Sequence, residues 1–174
     1  MEIPEIYEKI LIKSSIKDIA NLCQVNRLLR SLCNDGRFWI RKFRNNNIPL
    51  LQEHTNYGDW MREYRRSLDA IRTSEARLRN IEWTGKLNSI IFTVNHIPPK
   101  ILETEFGGMK YKQLGRLTTY YMRSKHVYFF SYYYERNPNQ RSERIYLEHE
   151  SALELLFLLS YFNEFIRMEY YEYS

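Results

Sequence analysis

Four short helical patterns follow one another between Ile3 and Phe43 with almost no linker. The second sets Ile16, Ile19, Ala20 and Cys23 at steps of three, four and seven, which is one face of a helix. The third carries Val25, Leu28, Leu29 and Leu32, and the fourth Phe38, Trp39, Ile40 and Phe43. The first places Ile6 and Ile10 one turn apart but also holds Ile3, Tyr7, Leu11 and Ile12, more than one apolar stripe. Helices this short bury little surface on their own, and a domain of about 40 residues usually needs a staple or a partner. No staple is expected here. The pattern therefore predicts a small bundle whose first helix meets its own core on one side and another protein on the other. Ser15, with Asp18 three residues later, is placed to cap the second helix, and Asn34-Asp35-Gly36 to break the chain and cap the fourth.

The same residues resemble an F-box. Pro4-Glu5-Ile6 looks like the family's opening run, with Ile10 one turn on, and Lys17-Asp18-Ile19 looks like its second-helix start. Leu22 and Val25 match the apolar pair entering the third helix, and Trp39 stands where many members carry a Trp. The wording NLCQVNRLLRSLCNDGRFW is closest to F-box proteins of large DNA viruses. Pro4 stands one residue late against the usual opening, and Leu29 replaces a frequent aromatic residue. The resemblance implies a Skp-type adaptor as partner and, through it, a cullin–RING ubiquitin ligase. It assigns Ile3, Pro4, Ile6, Ile10, Leu11 and Val25 to the docking surface. Leu22, Leu28, Leu32 and Trp39 are assigned to internal packing.

Composition bounds the rest. The chain of 174 residues is 44% hydrophobic and 27% charged, which is globular rather than disordered. No apolar run approaches the ~20 residues that span a bilayer, and the acidic N-terminus lacks a signal peptide's basic region. The expected location is a reducing compartment, the cytoplasm or nucleus, of an infected host cell if the viral wording holds. Cys23 and Cys33 are accordingly expected as free thiols acting as small hydrophobes. Most of the formal +5 charge falls in the first 50 residues, notably at Arg37, Arg41, Lys42 and Arg44. These four are expected on the solvated side of the fourth helix.

After the polar stop Asn45-Asn46-Asn47-Ile48-Pro49, one long amphipathic helix is predicted from Asp59, its N-cap. Trp60, Tyr64, Leu68 and Ile71 form its inner face, with Arg62, Arg65, Arg66 and Arg72 outside. Near Gly85 the pattern turns extended. Strands are predicted at residues 89–94, 117–122, 126–134 and 144–148, a helix at 151–163 capped by Ser151 with Glu154, and a last strand at 165–173. The fold class is therefore α+β: an F-box-like helical bundle (1–46), a linking helical segment (47–84), and an antiparallel sheet with one major helix (85–174) as a substrate-recruiting domain.

No catalytic constellation is legible. The four His are scattered, two Cys cannot make a structural zinc site, and no Gly-rich phosphate loop is present. No catalytic residue, cofactor or metal is expected. Most of the 15 Tyr fall in the C-terminal half, and adjacent strand residues face opposite sides. Some must be exposed, and Tyr132, Tyr134, Tyr171 and Tyr173 are the candidates for contact with an unknown protein substrate. Cross-strand Tyr pairing that only stabilises a sheet is the plainer alternative. Two other functions compete: nucleic-acid binding through Arg62, Arg65, Arg66, Lys110, Lys112 and exposed Tyr, and self-association through a Tyr-rich edge. Charge balance in the second half disfavours nucleic acid, and no membrane partner is expected. Phosphate binding weakens steeply with salt. The docking reading predicts no such salt-steep binding to a single-stranded oligonucleotide in a filter assay.

Overall fold

The computed structural model describes residues 3–83, 88–92, 114–122, 127–134, 143–162 and 165–170. They fall in two compact units, Met1–Asp69 and Ala70–Ser174. The first contains α1 (Ile3–Lys13), α2 (Ile16–Val25), α3 (Arg27–Asn34), α4 (Gly36–Asn45) and the start of α5 (Tyr57–Trp83), whose second half belongs to the other unit.

Side chains punctuate these helices. Ser15 Oγ accepts the Asp18 N–H at 3.2 Å and donates to the Asp18 carboxylate at 2.6 Å, opening α2. Asn26 Oδ1 accepts from the Leu28 N–H at 2.7 Å and opens α3, so a single residue turns the chain between the two helices. Asp35 caps α4 through the Arg37 N–H at 3.0 Å. Beyond α4, Asn47 takes a left-handed φ of 51°. Its N–H reaches the Arg44 carbonyl at 3.1 Å, and the Ile48 N–H reaches Phe43 at 3.0 Å. This paired closure ends a helix and turns the following apolar residue inward, and Ile48 is buried. Helix α5 begins two residues before Asp59. Asn56, not Asp59, is its cap, because Asn56 Oδ1 accepts the Asp59 N–H at 2.9 Å.

An aromatic cluster fills the core of the first unit. Trp39 is fully buried, stacks on Trp60 with ring centroids 6.3 Å apart and planes 3° apart, and meets Phe38 edge-on at 5.1 Å. Its indole N–H donates to the Cys33 carbonyl at 2.8 Å. Phe43 and Tyr64 make a second edge-on pair at 5.1 Å. Leu22, Leu28 and Leu32 are half-buried rather than internal. Two further expectations fail here. Cys23 and Cys33 are joined as a disulfide, their Cα atoms 6.2 Å apart, because the Asn26 turn folds the buried faces of α2 and α3 together. Lys42 is buried instead of solvated, since it shares the inward face of α4 with Phe38 and Trp39.

In α5 the buried residues are Trp60, Glu63, Tyr64, Ser67, Ala70, Ser74, Leu78 and Ile81, whereas Leu68 and Ile71 are half-buried. The real stripe passes through small residues that apolarity alone does not mark.

The second unit holds a five-stranded antiparallel sheet in the order β4-β3-β2-β1-β5. Its strands are β1 (Asn88–Phe92), β2 (Leu114–Met122), β3 (Val127–Tyr134), β4 (Glu143–Leu147) and β5 (Phe165–Tyr170). Helix α6 (His149–Tyr161) connects the two edge strands and contacts β3 and β4. Leu155 to Leu159 are all buried, as expected of a helix covered on every side. It starts two residues before Ser151, so Ser151 lies inside the helix, and Glu148 occupies the cap position without a side-chain bond.

Trp39→Ala is expected to cost the first unit about 3–5 kcal/mol, and Asn26→Ala about 1 kcal/mol, both measurable by urea unfolding followed through tryptophan fluorescence.

Candidate docking site

Helix α1 has two apolar faces that do different things. Leu11 is fully buried and Tyr7, one turn earlier, is half-buried. Ile6 and Ile10, also one turn apart, are 44% and 47% exposed. A helix turns about 100° per residue, so these pairs form separate stripes. Leu11 is therefore removed from the expected docking set: it belongs to the core. Ile3 and Pro4 open α1, but their side chains lie outside the described residues. Val25, at the end of α2, is 77% exposed although Cys23, two residues earlier, is buried.

Lys42 ties α4 to the end of α1. Its ammonium Nζ donates to the carbonyls of Leu11, Ile12 and Ser14 at 3.2, 2.9 and 2.9 Å. The last carbonyls of a helix have no partner within it and carry the negative end of its dipole. A cation with three donors satisfies both needs. Lys42 also lies 5.1 Å from the centre of the Tyr64 ring, a cation–π distance. The outer edge is closed by an ion pair between Arg41 and Glu8, which joins α4 to α1.

The α2–α3 corner near Val25 is tied by Arg30, whose guanidinium donates to the carbonyls of Cys23 at 3.5 Å and Gln24 at 3.1 Å. At the head of α4, Arg37 beside Asp35 holds that carboxyl below its ordinary range.

The Tyr candidates of the second half are not brought together as a site. Tyr132 and Tyr134 lie on β3, opposite Leu117 and Leu114 of β2, with side chains outside the described residues. Tyr171 and Tyr173 lie outside the described residues altogether. A cluster that spacing could not reveal joins three elements instead. Tyr128 Oη, on β3, donates to Glu82 of α5 and lies 3.2 Å from Nδ1 of His149 on α6. Among the described residues, no group of three or more His, Cys, Asp or Glu could hold a metal ion, and no helix is long and apolar enough to cross a membrane.

The family model for the F-box domain matches residues 3–41, from the start of α1 into α4. Neither the curated proteins nor the solved structures gave a match. An F-box domain supports a Skp-type binding partner and, through it, a place in a cullin–RING ubiquitin ligase.

Burial pushes the Lys42 pKa down to about 8. The folded protein therefore releases this proton before the unfolded chain does. Between pH 8 and the ordinary lysine range the unfolded state binds more protons, so this residue's contribution to stability rises with pH. Urea titrations should show the wild type gaining on Lys42→Met over that window. At pH 7 the variant should be less stable by about 1–3 kcal/mol, because buried carbonyls lose their donor.

Proposed function

We propose that this chain is a non-catalytic substrate adaptor. Its F-box docks a Skp-type protein, and its second unit presents a protein substrate to a cullin–RING ligase, whose other subunits perform ubiquitin transfer. One observation carries the reading. Within the segment matched as an F-box, α1 buries Leu11 completely yet leaves Ile6 and Ile10 nearly half exposed one turn apart. Those two isoleucines add little to the unit's own core, and exposed apolar residues placed together mark interaction surfaces. Val25 adds the third exposed position, and by sequence position Ile3 and Pro4, at the start of α1, complete the proposed docking set. Arg62, one of the residues weighed for phosphate contact, already holds the Asp59 carboxylate, and the basic residues Arg37 and Arg41 of α4 likewise hold Asp35 and Glu8. This favours protein docking over nucleic acid.

The substrate reading rests on the aromatic second unit, where Tyr132, Tyr134, Tyr171 and Tyr173 are the contact candidates. The likeness of residues 21–39 to viral F-box wording extends it to a host protein as substrate.

Ile6→Asp combined with Ile10→Asp should lower affinity for a purified Skp-type adaptor at least about tenfold, as desolvated interface anchors do, with an unchanged melting temperature. Undiminished binding by the folded double variant overturns the docking assignment.

A further inference from the structure

The disulfide sits at the corner of the first unit where one docking residue is exposed. Cys23 lies in the last full turn of α2, two residues before Val25, and Cys33 in the last turn of α3. Only Asn26 separates the helices. The carbonyls of both cysteines are engaged: Cys23 by Arg30, and Cys33 by the indole of the central Trp39. The sulfurs are thus attached to the α2–α3 corner on one side and to the aromatic core on the other.

We infer that Cys23 and Cys33 form a thiol–disulfide switch that sets the geometry of the Val25 corner and so the affinity of the docking surface. This rests on the docking reading. The physical reason is volume. Bonded sulfurs stand about 2.0 Å apart, whereas two thiols must separate to non-bonded contact beyond roughly 3.5 Å. Cys23 and Cys33 are 3% and 0% exposed, and a close-packed interior does not absorb such a change in place. On the Cys33 side the backbone is held by Trp39. On the Cys23 side the carbonyl takes only a longer bond, 3.5 Å, from exposed Arg30, and the chain leads into the Asn26 turn and the exposed Val25, where the displacement appears. The oxidised form holds the corner in one arrangement before the partner arrives, which strengthens binding by preorganisation.

The exchange balances with a disulfide oxidant such as glutathione disulfide. One cysteine thiolate attacks it, forming a mixed disulfide and releasing one glutathione thiolate. The second cysteine thiolate then attacks the protein-bound sulfur and releases the other. The protein loses two electrons and two protons, and the oxidant leaves as two thiols. Because both sulfurs are buried, exchange proceeds through local opening of the corner.

The chain contains only two cysteines, so intact mass reports the state of this pair without ambiguity. The test compares the full chain oxidised with glutathione disulfide and reduced with dithiothreitol. Affinity for a purified Skp-type adaptor, its own thiols blocked, is measured together with amide hydrogen exchange across residues 23–30. The expected result is binding about threefold or more tighter in the oxidised form, with slower exchange at the corner. A Cys23→Ala, Cys33→Ala variant should behave like the reduced form under both conditions. Equal affinity in the two redox states overturns the switch while leaving the docking reading intact, and so does failure to form the disulfide. Binding by neither state of a folded chain overturns the docking reading and the switch with it.

Discussion

A buried ammonium under the end of α1 is the interaction on which the helical unit depends. Lys42 reaches across from α4 and donates to the carbonyls of Leu11 and Ile12 in the last turn of α1 and of Ser14 just beyond it. Burying a charge is costly, and the cost shows in the lowered Lys42 pKa, but all three donors find acceptors at the negative end of a helix. The result is that α1 is tied from within. Its inner stripe enters the core at Leu11, and its position does not require a cover over Ile6 and Ile10. An outward apolar stripe would be a hazard on a helix held only by that stripe. On a helix anchored by its terminus it is available for another protein.

The folding unit is larger than the segment that carries the family match. That segment stops at residue 41, but the core it needs continues through Phe43, Ile48, Trp60 and Tyr64. Trp39 is the link, stacked on Trp60 of α5 and bonded through its indole to α3. A chain cut just after α4 would expose the face of Trp39 that Trp60 now covers. The long helix is thus the closing wall of the bundle at its start, before it passes into the second unit.

Helical periodicity made the four short helices legible, along with the Ser15 and Asp35 caps and the core role of Trp39. It failed where chemistry and position disagree. Lys42 sits three and four residues after Trp39 and Phe38, squarely on the inner face, although its residue type alone points to solvent. The inner stripe of α5 escapes an apolarity pattern for the converse reason: Ser67, Ala70 and Ser74 are buried without being strongly apolar. Leu11 could not be separated from Ile10 by composition, since both are aliphatic; only the angle between them tells. A reducing compartment points to free thiols, whereas the Asn26 turn brings the two cysteine-bearing helices together. The Glu82–Tyr128–His149 contact joins three elements distant in sequence, and no spacing rule reaches that far.

The sheet order has a temporal meaning. Strand β1 sits between β2 and β5, and Asn88 pairs with Tyr170. Pairings between residues so far apart in sequence form slowly, because the intervening chain must be ordered before the contact is rewarded. The helical unit has no such dependence, since its core is complete once α5 has begun. During synthesis, which proceeds from the N-terminus and folds domains as units, the helical unit matures while β1 still lacks one of its two neighbours. The unit that exposes Ile6 and Ile10 is ready before the sheet has its full set of strands.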